Sequence, residues 1–217
     1  MEHLTAIVAI NHEGVIGAGN AVPWRLKRDM QFFREQTMGN VVLMGRNTFD
    51  SLGRKCLPGR YNIVVTHHWG EVPEGDLCKA ASGVEDALYR ATLAPRLFRG
   101  AYVIGGATIY DQFAPYVDRY LITLVDKRVD GGDTFFAPPF DERDWVKRTL
   151  FSQSADAENE ASFSVYELRA VDEGKVAARR ERSIKAGRLA AEGPPLAESA
   201  PFRRMPPPYR AAASIML

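Results

Sequence analysis

The apolar positions of the chain fall into short runs that alternate with segments of helical periodicity. Five runs rich in β-branched or aromatic residues predict strands at 4–10, 41–44, 61–66, 101–105 and 120–125. Apolar residues at helical spacing predict helices between them, at 26–37, 46–52, 82–92 and 107–113. Two later runs, 144–153 and 161–170, flank a short polar connection and predict an antiparallel hairpin.

This order of elements predicts an α/β fold. Strands that alternate with helices favour βαβ crossovers, which place the strands parallel to one another in one sheet. Several of the runs are apolar on both faces, as central strands must be when helices cover both sides of the sheet. We therefore expect a mostly parallel central sheet with helices on both faces and an antiparallel edge hairpin at its C-terminal end.

Charge and composition divide the chain near residue 171. The 217 residues contain 28 Lys and Arg against 27 Asp and Glu, a net charge of +1. Residues 172–217 hold nine basic and five acidic residues, six prolines and two aromatics, which leaves nineteen basic and twenty-two acidic residues before them. Residues 172–217 contain too few large apolar side chains to offset the conformational entropy that is lost when a chain is ordered. We expect a globular domain at 1–171 and a basic, Ala/Pro-rich extension at 172–217 that is disordered or partly helical.

The same totals argue against several classes of protein. A net charge near zero is unusual for a protein that coats nucleic acid. The cysteines, Cys56 and Cys78, form no zinc-binding motif, and the four histidines lack metal-ligand spacing, so we expect free thiols and no metal site. The sequence shows no export signal and no apolar stretch of about 20 residues. The expected location is the cytoplasm.

The most informative segment is 14–29, a glycine-rich loop followed by Trp24 and by Asp29 in the first turn of a predicted helix. Asp29 shares the inward side of that helix with Met30 and Phe33. Apolar surroundings raise the pKa of a carboxyl group, which suits it to bind or protonate a nitrogen heterocycle. The alternative is an acid that only interacts with the helix dipole.

Two strand-to-helix turns offer sites for phosphates. At the first, Gly45 precedes Arg46, Asn47 and Thr48, and at the second Gly105 and Gly106 follow a predicted strand. Such turns direct backbone N–H groups at an anion, so two on neighbouring strands can hold a dinucleotide. Neither matches the GxGxxG fingerprint, and glycine at a strand end is often only structural.

Three further polar residues follow the predicted third strand or its preceding turn. Arg60 comes after a Pro-Gly pair, where an arginine is usually solvated but can also clamp a substrate carboxylate. Thr66 and His67 end the third strand and are positioned like ligands for an additional phosphate.

Taken together, these segments resemble the dihydrofolate reductase family. The resemblance rests on VIGAGNAVPWRLKRDMQFF, VVLMGRNTFDSLG, LPGRYNIVVT, YVIGGATIYDQF, YLITLV and GGDTFF, which occur in family order between about residues 4 and 169. It implies NADPH-dependent reduction of 7,8-dihydrofolate, with Asp29 promoting protonation at N5 and with Trp24 and Thr123 organising the hydrogen bonds around it. The implied substrate-binding residues are Val8, Met30, Phe33, Leu52, Arg60 and Ile104.

The resemblance also implies an NADPH site. It places the nicotinamide near Ala9, Ile16, Gly17 and Gly105, and the adenosine and pyrophosphate near Gly45, Arg46, Asn47, Thr48, Thr66, His67, Gly106, Ala107, Thr108 and Ile109. Thr108 stands where many relatives carry Arg, and His67 where many carry Ser or Arg. In this family the peptide bond between Gly105 and Gly106 is commonly cis, and the 14–24 loop closes over the nicotinamide.

Other functions remain open at this point. The same fold also serves pyrimidine reductases, and a folate- or nucleotide-binding module is a non-enzymatic alternative. We expect a monomer with no membrane partner. For the extension, a solvated segment competes with a contact for nucleic acid or an acidic partner through Arg179, Arg180, Arg182, Lys185 and Arg188. Under either view, deleting residues 172–217 is expected to leave the reduction intact.

Overall fold

The computed structural model describes residues 3–19, 21–68, 70, 72–73, 75–137 and 142–192. Its strands are β1 (Leu4–Asn11), β2 (Val15–Gly17), β3 (Val41–Gly45), β4 (Tyr61–Val65), β5 (Cys78–Ala81), β6 (Ala101–Val103), β7 (Arg119–Val125), β8 (Thr134–Phe135), β9 (Trp145–Gln153) and β10 (Phe163–Ala170). Its α-helices are α1 (Lys27–Thr37), α2 (Arg46–Ser51), α3 (Val84–Thr92), α4 (Ala107–Phe113) and α5 (Glu173–Glu192). None of the helices in these described ranges is long and apolar enough to cross a membrane.

Eight of the strands form one sheet in the order β5-β4-β3-β6-β1-β7-β10-β9. The six strands from β5 to β7 pair in parallel, whereas β10 pairs antiparallel with β7 and β9. The remaining strands, β2 and β8, form a small antiparallel sheet. The predicted α/β fold with an antiparallel C-terminal edge is confirmed.

The central strand β1 supplies both faces of the sheet. Its side chains alternate, so that Leu4, Ala6 and Val8 join one apolar cluster, while Ile7 and Ala9 join the other. The first cluster includes buried residues of α3 and α4, and the second includes buried residues of α1 and α2. Helices therefore cover both faces, as the run of apolar residues predicted.

Two features of the middle of the chain differ from expectation. Strands β2, β5 and β8 were not predicted, because each is only two to four residues long and β5 reads CKAA, which lacks β-branched residues. Cys56 and Cys78 are joined as a disulfide with 6.2 Å between their Cα atoms, rather than being free thiols. The bond links the loop before β4 to the first residue of β5.

The C-terminal extension begins with a packed helix. Arg180 on α5 is 2% exposed. Its guanidinium donates to Asp118 Oδ2 at 2.6 Å and to the Tyr116 carbonyl at 3.1 Å. Asp118 is equally buried, and its Oδ1 accepts a hydrogen bond from the Leu4 backbone N–H at the start of β1. Residues 173–192 are thus part of the folded unit, because a buried ion pair holds them there. Residues 193–217 lie outside the described residues.

Helix α5 packs tightly against α3 at Gly187. A Cβ atom at this position would lie 2.2 Å from the Glu85 carbonyl oxygen and 3.1 Å from the Tyr89 Cβ. Ser183 is also buried, and Ile184 packs against the apolar cluster on this face of the sheet. The contact depends on small side chains, which allow the two helices to pack closely.

Replacing Gly187 with Val is therefore expected to lower the melting temperature, because the added side chain overlaps backbone that cannot move aside. The matched control is Gly174→Ala, since a Cβ at Gly174 meets only the Asp172 carboxylate at 3.6 Å. We expect the control to leave the melting temperature unchanged or to raise it slightly. Thermal unfolding followed by circular dichroism measures both. Equal melting temperatures for the two variants would contradict close packing of α5.

Candidate active site

The first turn of α1 carries a buried carboxylate. Asp29 is 1% exposed, and its Oδ1 accepts a hydrogen bond of 2.6 Å from the Thr123 hydroxyl on β7. Its Oδ2 has no hydrogen-bond partner among the described residues. The helix turns Asp29 inward because its buried residues, Asp29, Phe32, Phe33 and Thr37, follow helical spacing. A buried acid with one oxygen unbonded is suited to receive a donor from a ligand.

Burial controls the protonation of this acid. Loss of hydration raises the pKa of Asp29 to about 7, and the hydrogen bond from Thr123 opposes that rise. An ordinary aspartate would be ionised throughout the physiological range. Asp29 instead exchanges its proton near neutral pH, as a group that transfers protons needs to do.

The raised pKa predicts how Asp29 affects stability. Asp29 ionises at about pH 4 in the unfolded chain and near 7 in the folded one. Raising the pH through this window therefore destabilises the fold, whereas an amide is neutral at every pH. We expect Asp29→Asn to raise the free energy of unfolding by on the order of 4 kcal/mol at pH 8 and by little at pH 4. Urea unfolding at several pH values measures the difference, and a pH-independent gap would contradict the assignment.

Apolar side chains surround Asp29. A narrow cavity is lined by Asp29 and Thr123 together with Ile7, Val8, Ala9, Phe33, Ile104 and Tyr110. The predicted residues Val8, Ala9, Phe33 and Ile104 are thus brought together around the acid. Leu52 is buried and Met30 half-buried in the apolar cluster beside α1, and neither lines this cavity. Trp24 is buried in the same cluster, and its Nε1 lacks a partner among the described residues.

The sequence analysis missed two residues that line this cavity, Ile7 and Tyr110. The Tyr110 hydroxyl donates to the Ile7 carbonyl at 2.7 Å, which ties α4 to the central strand beside the cavity. Its ring also lies where a Cβ on Gly105 would point, 3.0 Å away. Tyr110 lies four residues after Gly106, so helical spacing from the Gly-Gly turn is the signal that could have identified it.

Arg60 is buried near the Phe33 ring. Its Nε donates to the Thr37 hydroxyl at 2.9 Å and Nη1 to the Pro58 carbonyl at 3.2 Å. The guanidinium carbon lies 5.8 Å from the centre of the Phe33 ring. Burial, with Arg34 nearby, lowers the pKa of Arg60 from its usual value. The side chain is fixed by neutral acceptors rather than by an acid, so its charge is available to an anion.

The two glycine turns meet at a second cavity of about 220 Å³. Its lining comprises Gly45, Arg46, Asn47, Val65, Gly106, Ala107, Thr108 and Ile109. Seven of these eight residues were predicted for the dinucleotide, and Val65 was not. Gly45 leaves no space for a side chain here, because a Cβ at this position would lie 2.6 Å from the Ile109 side chain. The peptide bond between Gly105 and Gly106 is cis, as expected.

The polar groups at this cavity have distinct surroundings. Arg46 lines the cavity while its Nε bonds Asp50 at 2.8 Å, so its own helix orients it. The Thr48 hydroxyl is buried without a partner among the described residues, and Thr48 does not line the cavity. Thr66 is buried, and its hydroxyl accepts the His68 backbone N–H at 3.0 Å. His67 is exposed, and neither Thr66 nor His67 lines the cavity.

The loop after β1 is anchored at several points. Ile16 and Gly17 lie in β2, fully buried, and do not line either cavity. The Gly19 N–H donates to Asp133 Oδ2 at 2.9 Å, and the Phe136 N–H donates to the Gly14 carbonyl at 2.8 Å. These bonds hold the loop against β8 rather than leaving it free in solvent.

Comparison with known proteins agrees with this arrangement. The family model for dihydrofolate reductase matches residues 3–170. A dihydrofolate reductase of Neisseria meningitidis serogroup A is 36% identical over 169 residues, covering 78% of this chain and 99% of the relative. That of Bacillus subtilis is 34% identical over 168 residues, covering 76% of this chain and 94% of the relative.

A solved structure extends the comparison to three dimensions. A dihydrofolate reductase from Enterococcus faecalis, complexed with NADP(H) and RAB-propyl, superposes with a TM-score of 0.68 and 28% identity. The match covers 79% of this chain and 98% of that one, so α5 falls largely beyond the shared span. From the family model, the relatives and the shared fold, we conclude that this chain belongs to the dihydrofolate reductase family of NADPH-dependent oxidoreductases.

Proposed function

We propose that this protein reduces 7,8-dihydrofolate to 5,6,7,8-tetrahydrofolate with NADPH and so supplies one-carbon metabolism in the cytoplasm, acting as a monomer. The observation that carries the proposal is Asp29, a buried acid with an open oxygen and a pKa raised to about 7. It is surrounded by apolar walls that exclude water from the reacting atoms.

Asp29 and Thr123 would hold the pterin ring. Oδ1 of Asp29 is occupied by Thr123, so Oδ2 remains to accept from the 2-amino group or N3 of the pterin. The protonated carboxyl promotes protonation at N5, and Trp24 Nε1 offers a donor for an ordered water. Val8, Phe33 and Ile104 would contact the flat faces of the ring, with Met30 and Leu52 behind them.

The cavity between the glycine turns fits a dinucleotide. Its lining comes from both glycine turns, each of which precedes a helix, and the backbone N–H groups at a helix N-terminus favour a phosphate. Arg46 adds a cation at the cavity, and the buried Thr48 hydroxyl, which has no partner among the described residues, lies two residues further along the same helix. Gly45, Arg46, Asn47, Gly106, Ala107, Thr108 and Ile109 would hold the phosphates, Thr66 and His67 the adenosine end, and Ala9, Ile16, Gly17 and Gly105 the nicotinamide. Bound NADPH supplies the hydride for C6 of the pterin. The chain positions both ligands and keeps the site dry.

The chemistry is proposed for residues 1–171, and one assay tests it. Mixing the protein with dihydrofolate and NADPH should cause the reduced-nicotinamide absorbance to decay. Tight binding of both ligands without decay would instead identify a binding module. Decay with a pyrimidine substrate but not with dihydrofolate would identify a related reductase. Sedimentation at the mass of one chain would support the monomer.

Arg60 provides a prediction about substrate recognition. Arg60→Gln is expected to raise KM for dihydrofolate by roughly tenfold or more, because a charge-assisted bond to the α-carboxylate is lost. A dihydropterin without the glutamate is the matched control and should show the same kcat/KM with both proteins. If the variant loses activity equally on both substrates, Arg60 acts through the fold and not through the carboxylate.

A further inference from the structure

A cavity of about 470 Å³ lies between α5 and the amino-terminal end of β7, at the opposite end of the strand from Thr123. Its lining includes apolar side chains of Val117, Trp145 and Val176 and the cationic side chains of Lys175 and Arg179. None of these residues belongs to either cavity of the candidate active site. The cavity has room for an apolar side chain beside two positive charges.

The same two cations begin a basic stripe along α5. The stripe consists of Lys175, Arg179, Arg182 and Lys185, which are spaced by three or four residues and are all exposed. Arg179 donates to the Pro115 carbonyl at 3.2 Å. In the part of the chain that the structure describes, the other three side chains make no ion pair. The stripe extends for about 15 Å along the helix.

The acidic groups nearby do not neutralise the stripe. Asp172 accepts the Lys175 backbone N–H at the helix start, and Glu192 pairs with Arg188 at the helix end. Asp144 lines the cavity, and Glu181 is exposed beside the stripe. Against the three acids Asp144, Asp172 and Glu181 stand the four cations of the stripe and Arg143, which also lines the cavity, so the surface keeps a net positive charge. Two exposed apolar residues, Val171 and Leu189, lie at either end of the helix.

The face of α5 opposite the basic stripe attaches the helix to the domain, so the positions of the four cations along the helix are fixed. Arg180 points inward to Asp118, and Gly187 packs on α3, so the helix is fixed to the domain. Because the helix backbone is already ordered, only the exposed side chains lose conformational freedom on binding, which makes the helix a better docking surface than a mobile basic segment. Arg180 and Arg188, which the sequence offered as contact residues, are both engaged within the protein.

We propose that the stripe and its cavity form a docking surface for an acidic protein segment that carries one apolar anchor residue. Carboxylates of the partner would pair with the four cations, and the anchor would enter the cavity beside Trp145. Residues 193–217 do not complement this surface, because they contain three arginines and one glutamate.

Charge and shape favour an acidic segment over nucleic acid. Nucleic-acid-binding surfaces commonly neutralise about six to ten phosphates, whereas this stripe offers four cations on a chain of net charge +1. The helix also carries no aromatic residue on which a base could stack. The apolar cavity can hold a side chain of a protein partner, whereas a phosphate backbone has no apolar group to place in it.

The proposal is tested with the full chain and a fluorescent peptide of glutamates around a central leucine. Binding is followed by anisotropy at low salt and at about 150 mM salt, where exposed charge pairs are screened. The variant Arg182→Glu/Lys185→Glu is expected to weaken binding at least tenfold. The matched control is Arg96→Glu/Arg99→Glu, which makes the same charge change on another exposed segment and should weaken it less than twofold.

Two further measurements complete the test. A peptide with serine in place of the leucine should bind several-fold more weakly if the cavity takes an anchor. Turnover of dihydrofolate should be the same in both charge variants, which shows that they are folded. Equal weakening by the two variants, or tighter binding of a single-stranded oligonucleotide than of the peptide, would overturn the proposal.

Discussion

Replacing Asp29 with Asn is expected to lower kcat for dihydrofolate reduction by about 10²- to 10⁴-fold at pH 7, the range over which a positioned acid contributes. The amide occupies the same space but cannot supply the acidity that N5 protonation requires. Activity should recover partly in acid, because the substrate is then protonated in solution. The measurement is a steady-state pH profile of NADPH consumption.

The unaltered protein gives the complementary profile. Its kcat/KM should fall as the pH rises through about 7, because Asp29 then loses its proton. Asp130→Asn is the matched control, since Asp130 is almost fully exposed and its loss should change nothing. Undiminished turnover of Asp29→Asn at pH 7 would remove Asp29 from its role. Because this variant is also expected to be more stable at high pH, lost activity cannot be attributed to unfolding.

Replacing Arg180 with Met is expected to lower the free energy of unfolding by about 3–5 kcal/mol, because the buried carboxylate of Asp118 loses its arginine partner. The neutral pair Asp118→Asn/Arg180→Met should recover part of that loss. Urea unfolding measures all three proteins. Arg182→Met, on the exposed side of the same helix, is the control and should change stability by less than about 0.5 kcal/mol.

The same ion pair changes what truncation should do. Removing residues 172–217 is now expected to destabilise the protein, whereas the sequence alone predicted only that the reduction would stay intact. Removing residues 193–217 leaves α5 in place and should preserve stability. If the longer truncation unfolds at the same urea concentration as the full chain, α5 does not hold the domain together.

The hydrophobic pattern predicted the central strands because the residues that determine each strand lie within the strand itself. Runs such as 4–10 and 120–125 carry enough apolar and β-branched residues on both faces to indicate buried strands. The inward position of Asp29 followed from its helical spacing to Phe33. The approach of Thr123 to Asp29 spans 94 residues of sequence, and only the resemblance to the family pointed to it.

Helix α5 shows where such reasoning stops. Its apolar residues are few, and Leu189 is 63% exposed, so an apolar stripe does not mark its packed face. That face is built from Arg180, Ser183 and Gly187, residue types that usually indicate solvent or a turn. Their burial depends on Asp118 and on the α3 backbone, which are distant in sequence. A hydrophobicity pattern cannot reveal this contact, because it is made by an ion pair and by a glycine that lets two helices pack closely.

The packing of α5 has a consequence for transplanting it. Arg180 needs an acid at position 118, and the path of α3 at Glu85 must leave space for α5 at Gly187. Fused to a homologous reductase that lacks these partners, the helix would bury a lone cation or remain undocked. Helix α5 therefore cannot be transferred alone, because the recipient protein would also need substitutions at the positions that contact it.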